Sequence, residues 1–295
     1  MAFQTLFFPP SELIITPRGA IYHLNLTPAE IGDTIFLVGD PNRTDKVAAH
    51  FDSIELSREH REFKSITGTI AGNRVTVLST GIGTDNIDIV INELDALVNI
   101  DFDTRCEKPE KKSLRLIRLG TSGSLSEDIP AGSVVVSAFG VGTDGLLNYY
   151  RCSFTPEEEK LANTFSSISG YPESWATPYA VKADSELFHS LAGQAFSGIT
   201  VTACGFYGPQ GRILRAKPQL DDLLSRYQKV TFQDLRVTNF EMETSAIYGM
   251  SRILGHKAVS VSVIVANRVR KEFSADPDAD VEKMIRQVLQ NVFGA

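Results

Sequence analysis

Apolar positions along this chain fall into short β-branched runs that alternate with longer stripes spaced three and four residues apart. Thr34-Ile35-Phe36-Leu37-Val38 is the first run; it stops at Gly39-Asp40-Pro41, and Asn42 can start a helix over Arg43–His50. Two strands follow, roughly Phe63–Ile70 and Arg74–Ser79, joined by the turn Ala71-Gly72-Asn73. Thr80-Gly81-Ile82-Gly83-Thr84 leads into a helix near Asn86–Val98, and Leu114–Leu119 is a strand ending at Gly120-Thr121-Ser122-Gly123. Val134–Val136, Ile199–Ala203 and Ala258–Val265 read as further buried strands. Helices are expected near Pro156–Ser166, Asp184–Ala195, Glu241–Leu254 and Asp278–Phe293. The charged stretch Asp103–Ser113 contains Pro109 and reads as a solvated excursion, while 145–180 yields little beyond its one helix and a loop around Trp175.

Strands alternating with helices predict an α/β fold: a single domain with a mixed, largely parallel central sheet flanked by helices. Ligands in such folds gather beyond the carboxyl ends of the strands. The glycine corners Gly39, Gly81-Gly83 and Gly120-Gly123 all fall there.

Composition narrows the partners. The chain has 295 residues, 42% hydrophobic and 22% charged, with no linker or repeat, so one domain over 1–295 is expected. A net charge of −7 repels polyanions and anionic membrane surfaces, which argues against nucleic acid and membranes as partners. Any phosphate-bearing ligand must then be small and held by a local cluster of arginines. No segment approaches the roughly 20 apolar residues that span a bilayer. Met1–Pro10 lacks the basic region and small-residue cleavage site of an export signal, so a cytoplasmic location is expected. Cys106, Cys152 and Cys204 are few, odd in number and widely spaced, and histidines 23, 50, 60, 189 and 256 show no ligand spacing. No metal site is expected.

Asn239-Phe240-Glu241-Met242-Glu243-Thr244-Ser245 is the most informative stretch. Read as a helix start, Asn239 would cap it and its acids would gain from the helix dipole. Acids two positions apart on a helix diverge by about 200°, so they cannot decorate one solvent face. Nor does capping explain Met242 between them, in a run that continues Ala246-Ile247-Tyr248-Gly249-Met250.

Four other segments carry chemistry. Gly39-Asp40-Pro41-Asn42-Arg43 places an arginine in a helix's first turn, which suits either a small oxyanion or a tight turn with a surface arginine. Arg118-Leu119-Gly120-Thr121 puts an arginine in an apolar strand, as a structural ion pair or an anion site. His60-Arg61-Glu62-Phe63 reads by itself as a surface edge. Phe206-Tyr207-Gly208-Pro209-Gln210-Gly211-Arg212 combines an aromatic ring with an amide and a guanidinium two residues apart. Those groups match the edge of a pyrimidine such as uracil, against the plainer reading of a glycine-rich loop. Neither a Walker loop nor a GxGxxG fingerprint is present, so ATP and NAD find no support.

Together and in this order, the five segments resemble the nucleoside phosphorylase superfamily, and within it the uridine phosphorylases, from about His23 to Val265. The resemblance implies phosphorolysis of uridine to uracil and ribose 1-phosphate in pyrimidine salvage. A broader pyrimidine phosphorylase accepting deoxyuridine or thymidine, or a silent nucleoside-binding relative, stands as the alternative. It further implies a phosphate site of Gly39, Arg43, Arg118 and Thr121, joined by Arg61 of a neighbouring subunit. His23 of the neighbour, Met242 and Glu243 would hold the ribose; Phe206, Gln210, Arg212, Ile264 and Val265 would receive the base. Arg118, Glu243, Gln210 and Arg212 would carry catalysis. The resemblance implies a homo-oligomer, at least a dimer with shared sites, and no cofactor beyond phosphate as co-substrate. A monovalent cation near Glu62 is implied for some relatives. Ala266-Asn267-Arg268 lacks the Ser-Asp pair that purine-specific relatives use to protonate N7, which argues against purine nucleosides.

Overall fold

The computed structural model describes residues 6–193 and 195–294. The first half of Met1–Pro10, and Gln194 in the expected helix Asp184–Ala195, lie outside those residues. Strand β1 (Thr34–Val38) leads into helix α1 (Pro41–Ala48), followed by β2 (Ser53–His60), β3 (Phe63–Ile70) and β4 (Asn73–Ser79). Helix α2 (Thr84–Asn99) precedes the small hairpin β5 (Ile100–Asp101) and β6 (Cys106–Glu107), then β7 (Arg115–Ser124) and β8 (Val134–Gly142). Next come α3 (Pro156–Ser169), β9 (Tyr179–Lys182), α4 (Ser185–Ala192), β10 (Phe196–Thr202) and α5 (Leu223–Gln228). The chain closes with β11 (Thr231–Phe232), β12 (Leu235–Glu241), α6 (Thr244–Leu254), β13 (Lys257–Asn267), β14 (Glu272–Phe273) and α7 (Pro277–Phe293).

The main sheet runs β11-β12-β10-β8-β13-β7-β1-β4-β3-β2, with β14 on β13 and β9 on β8. It is mixed, as expected. Parallel pairing joins β4, β1, β7 and β13 on one side and β8, β10 and β12 on the other, with an antiparallel β13–β8 seam between them. An added antiparallel contact, Asn239 and Phe240 of β12 with Ser124 and Gly123 of β7, curls the sheet back on itself. That curl brings the carboxyl ends of β1, β7 and β12 to one place.

Alternation along β1 sets the two layers. Ile35 and Leu37 join the core beneath α2 and α6, with Ile91, Leu94 and Ile247; Phe36 and Val38 join the opposite core beneath α1 and α7, with Val47, Met284 and Ile285. All are essentially inaccessible to water. Each large apolar side chain so buried contributes about 1.5–3 kcal/mol, and truncating Leu37 to alanine would cost roughly 2–5 kcal/mol.

Several expectations shift. Ser53–His60 is a strand although its residues are polar, because it is an edge that pairs only with β3 and leaves much of itself in solvent. The stretch 103–113 is exposed as expected, yet it also clamps the N-terminal segment: Phe8 N donates to Arg105 O and Arg105 Nε donates to Phe8 O. The largest correction concerns Asn239–Glu241. These residues end strand β12, and the helix begins only at Thr244. Asn239 caps nothing; it is buried, donates to Ser122 Oγ at 3.0 Å and accepts from Thr200 Oγ1 at 3.0 Å. With a strand-to-helix turn between them, Glu241 and Glu243 converge on one arginine where a continuous helix would splay them apart.

Candidate active site

A cavity of about 280 Å³ opens where β1, β7, β12 and β13 end. Gly39, Arg43, Arg118, Thr121, Phe206, Gln210, Arg212, Met242, Glu243 and Val265 line it, so most of the expected site residues share one wall system.

Its floor is charged and buried. Arg118 extends from β7 and folds over Gly120, where an added Cβ would fall 1.7 Å from Nη1. Only glycine leaves room for that path. Arg118 Nη1 donates to Ser262 Oγ at 3.1 Å, and Nη2 reaches Glu243 and, at 3.2 Å, Glu241. Burial by itself would depress the guanidinium, but the two carboxylates outweigh it and raise its pKa. Of the two alternatives open for Arg118, the ion pair is present, and the side chain also lines the cavity. Glu243 accepts from Gly83 N at 2.8 Å; Gly83 holds φ +97°, which suits a glycine. Glu241, fully buried, has its carboxyl raised by burial and by the adjacent Glu243 charge, against the pull of Arg118.

Arg43 stands in the first turn of α1, whose N-cap Asp40 accepts from Asn42 N at 3.0 Å. Its Nη1 donates to Leu119 O at 3.2 Å. Burial and the neighbouring Arg118 lower its pKa. Arg43, Arg118, Thr121 and Gly39 all line the one cavity, where a small anion would meet two guanidiniums.

The opposite wall is the 206–212 loop. Arg212 lays its guanidinium 3.7 Å from the Phe206 ring centre and donates to Phe206 O at 2.8 Å and to Gln210 Oε1 at 2.5 Å. Gln210 is buried while Phe206 stays half exposed. Arg268, at the end of β13, donates to Gln210 O at 3.2 Å and Gly211 O at 3.4 Å and lies 5.4 Å from the Phe240 ring. Burial, and then Arg268, bring the Arg212 pKa down to about 10, so it stays charged at neutral pH. The sequence reading missed Arg268 as a support; its position straight after Ala266-Asn267 was the available signal.

Ile264 requires a correction. The β13–β7 register shifts between Ile264 and Ala266; Val265 and Ala266 line the cavity, while Ile264 packs with Ile129 and Val135. His23 and Arg61 also lie outside this cavity. Their sequence neighbours link the two segments: Arg61, at φ +56° in the β2–β3 turn, sits 5.8 Å from the Tyr22 ring, and His60 Nδ1 lies 3.0 Å from His23 O. Glu93 holds the His23 ring at 2.6 Å. Among the described residues no group of three or more His, Cys, Asp or Glu is placed to hold a metal ion, and no helix is long and apolar enough to cross a membrane.

Residues 33–294 match the family model of the phosphorylase superfamily. The chain belongs to that superfamily. It is 30% identical over 269 residues to the uridine phosphorylase of Thermococcus kodakarensis, covering 90% of this chain and 84% of that one. The solved structure of Trypanosoma brucei nucleoside phosphorylase, which shows uridine phosphorylase activity, superposes with a TM-score of 0.88 at 30% identity, covering 96% of this chain and 100% of the other. A DeoD-type purine nucleoside phosphorylase from Oceanobacillus iheyensis is also 30% identical, over 243 residues, covering 82% of this chain and 85% of its own length. Identity alone therefore does not choose the base.

Proposed function

We propose that this protein is a uridine phosphorylase, cleaving uridine with inorganic phosphate to uracil and ribose 1-phosphate. One observation carries the reading: a buried arginine–diglutamate group and an amide–guanidinium loop line a single cavity. Similarity to the uridine phosphorylases supports it.

In the proposed reaction Arg43, Arg118, Thr121 and the Gly39 backbone hold phosphate, with Arg61 supplied by a second copy. A phosphate oxygen attacks C1′ as the C1′–N1 bond breaks, and the bonding pair leaves on the base. Holding the nucleophile in line lowers the barrier chiefly through proximity. Glu243 accepts from the ribose hydroxyls and faces the oxocarbenium-like sugar, while Met242 packs on it. Gln210 and Arg212 take the negative charge gathering on uracil, which then acquires a proton from solvent. Arg268 steadies their backbone. Inorganic phosphate is the co-substrate, and no organic cofactor enters. His23 and Arg61, gathered on one surface, suit a dimer in which each copy completes the other's site.

Pyrimidine over purine is favoured by Asn267. It is buried and donates to Ser126 O and Ile129 O, both at 2.9 Å, so it has no acid to offer a purine N7. The test is absorbance-monitored turnover of uridine, thymidine and inosine, each with and without phosphate. Phosphate-dependent uracil release with inosine untouched is the expected result. Inosine turnover exceeding that of uridine would overturn the base assignment, and binding without turnover would favour a silent nucleoside-binding relative.

A further inference from the structure

Helix α6 begins without a cap of its own. Glu243 occupies the N-cap position at φ −138° and ψ −29°, and its side chain makes no capping bond. The first amides of a helix still need acceptors when buried. Two strand ends supply them. Glu241, the last residue of β12, accepts from Glu243 N at 3.0 Å and from Thr244 N at 3.0 and 3.1 Å. Thr202, the last residue of β10, accepts the Ser245 N–H on Oγ1 at 2.9 Å and donates the same hydroxyl to Glu241 Oε1 at 2.9 Å.

We infer that Glu241 caps helix α6 in place of Glu243, and so acts as a positioning residue that frees the Glu243 carboxylate to face the cavity. A carboxylate at the N-cap position ordinarily turns onto the amides of its own helix. Here those amides are already occupied, and Glu243 instead reaches Gly83 N and Arg118. Glu241 also holds Arg118 from the side away from Ser262. The two acids thus divide the work: Glu241 holds the first amides of α6, and Glu243 is left turned toward Gly83 and Arg118 at the cavity. This inference rests on the phosphorolysis reading for its kinetic consequence, though not for its geometry.

Glu241→Gln keeps the volume but replaces one acceptor oxygen with an NH2 group that must face either backbone N–H groups or Arg118. Acting through Glu243, it should lower kcat by about 10²-fold, in the range lost with a preorganised electrostatic contact. Nucleoside KM should change far less. In a Glu243→Gln background the same change should add less than about threefold, since residues working as a unit are non-additive. Amide hydrogen exchange gives a readout independent of turnover: the Glu243 and Thr244 amides should lose protection while Met250, deeper in α6, keeps it. If Glu241→Gln fails to fold, Thr202→Val removes the hydroxyl link and should cause a milder kcat loss of the same kind. A lowered Tm with unchanged kcat, or fully additive losses, would overturn the inference. If the wild-type protein turns over no nucleoside, the functional reading falls on its own. The capping role is then decided by exchange alone: faster exchange confined to Glu243 and Thr244 sustains it, and unchanged protection ends it.

Discussion

The floor and the base loop of the cavity are built on opposite principles. Arg118 stands within β7, Glu241 ends β12 and Glu243 precedes α6; all three are nearly inaccessible to water and satisfy one another. The loop from Phe206 to Leu214 leaves Phe206, Tyr207, Ile213 and Leu214 all at least half exposed, and a short helical turn plus Arg268 hold its backbone. A buried ion network cannot move without stranding a charge, so the floor is preorganised and suited to the parts every nucleoside and phosphate share. An exposed loop can change residue by residue without disturbing the core. In the proposed reading choice of base belongs to that loop, which places specificity where substitution disturbs the core least.

The comparison breaks most visibly at Arg118. Arg118→Ala leaves two buried carboxylates facing each other, so unfolding titrations should show a loss of about 3–5 kcal/mol. Turnover of the protein that still folds should fall about 10²–10³-fold with a steep rise in phosphate KM. Gly120→Ala tests the same floor without touching a charge: its methyl group would occupy the path of Arg118, and phosphate KM should rise about tenfold or more, since one lost charge-assisted hydrogen bond is worth about 1.5–3 kcal/mol. In the loop, Gln210→Ala should raise uridine KM by about 10–100-fold, the equivalent of about 1–3 kcal/mol for a missing buried partner, without an equal loss of stability. Arg268→Met should have the smallest effect, a few-fold rise in uridine KM at constant phosphate KM, because it removes two long hydrogen bonds to backbone.

The same contrast explains what could be read from the chain. Thr34–Val38 and Phe63–Ile70 were legible to the residue because both are buried and strongly β-branched or aromatic. Ser53–His60 was not, since an edge strand with no fully buried residue carries only two apolar side chains, Ile54 and Leu56. Arg43, Arg118, Thr121, Gln210 and Arg212 were legible as residue types at strand ends and in a glycine-rich loop, and they line one cavity. Glu241 was misplaced on a helix because the apolar run after it hides a strand that turns within two residues. Ile264 was placed beside Val265, but the irregularity in β13 turns Val265 and Ala266 to the cavity and leaves Ile264 against Ile129 and Val135. The approach of the β2–β3 turn to Tyr22 and His23 is one that no local pattern announces.

The division between floor and loop is tested most directly by measuring KM for phosphate and for uridine separately in Gln210→Ala. The account predicts a large rise for uridine with phosphate KM unchanged. An equal rise in both would contradict it, showing that loop and floor act as a single binding unit.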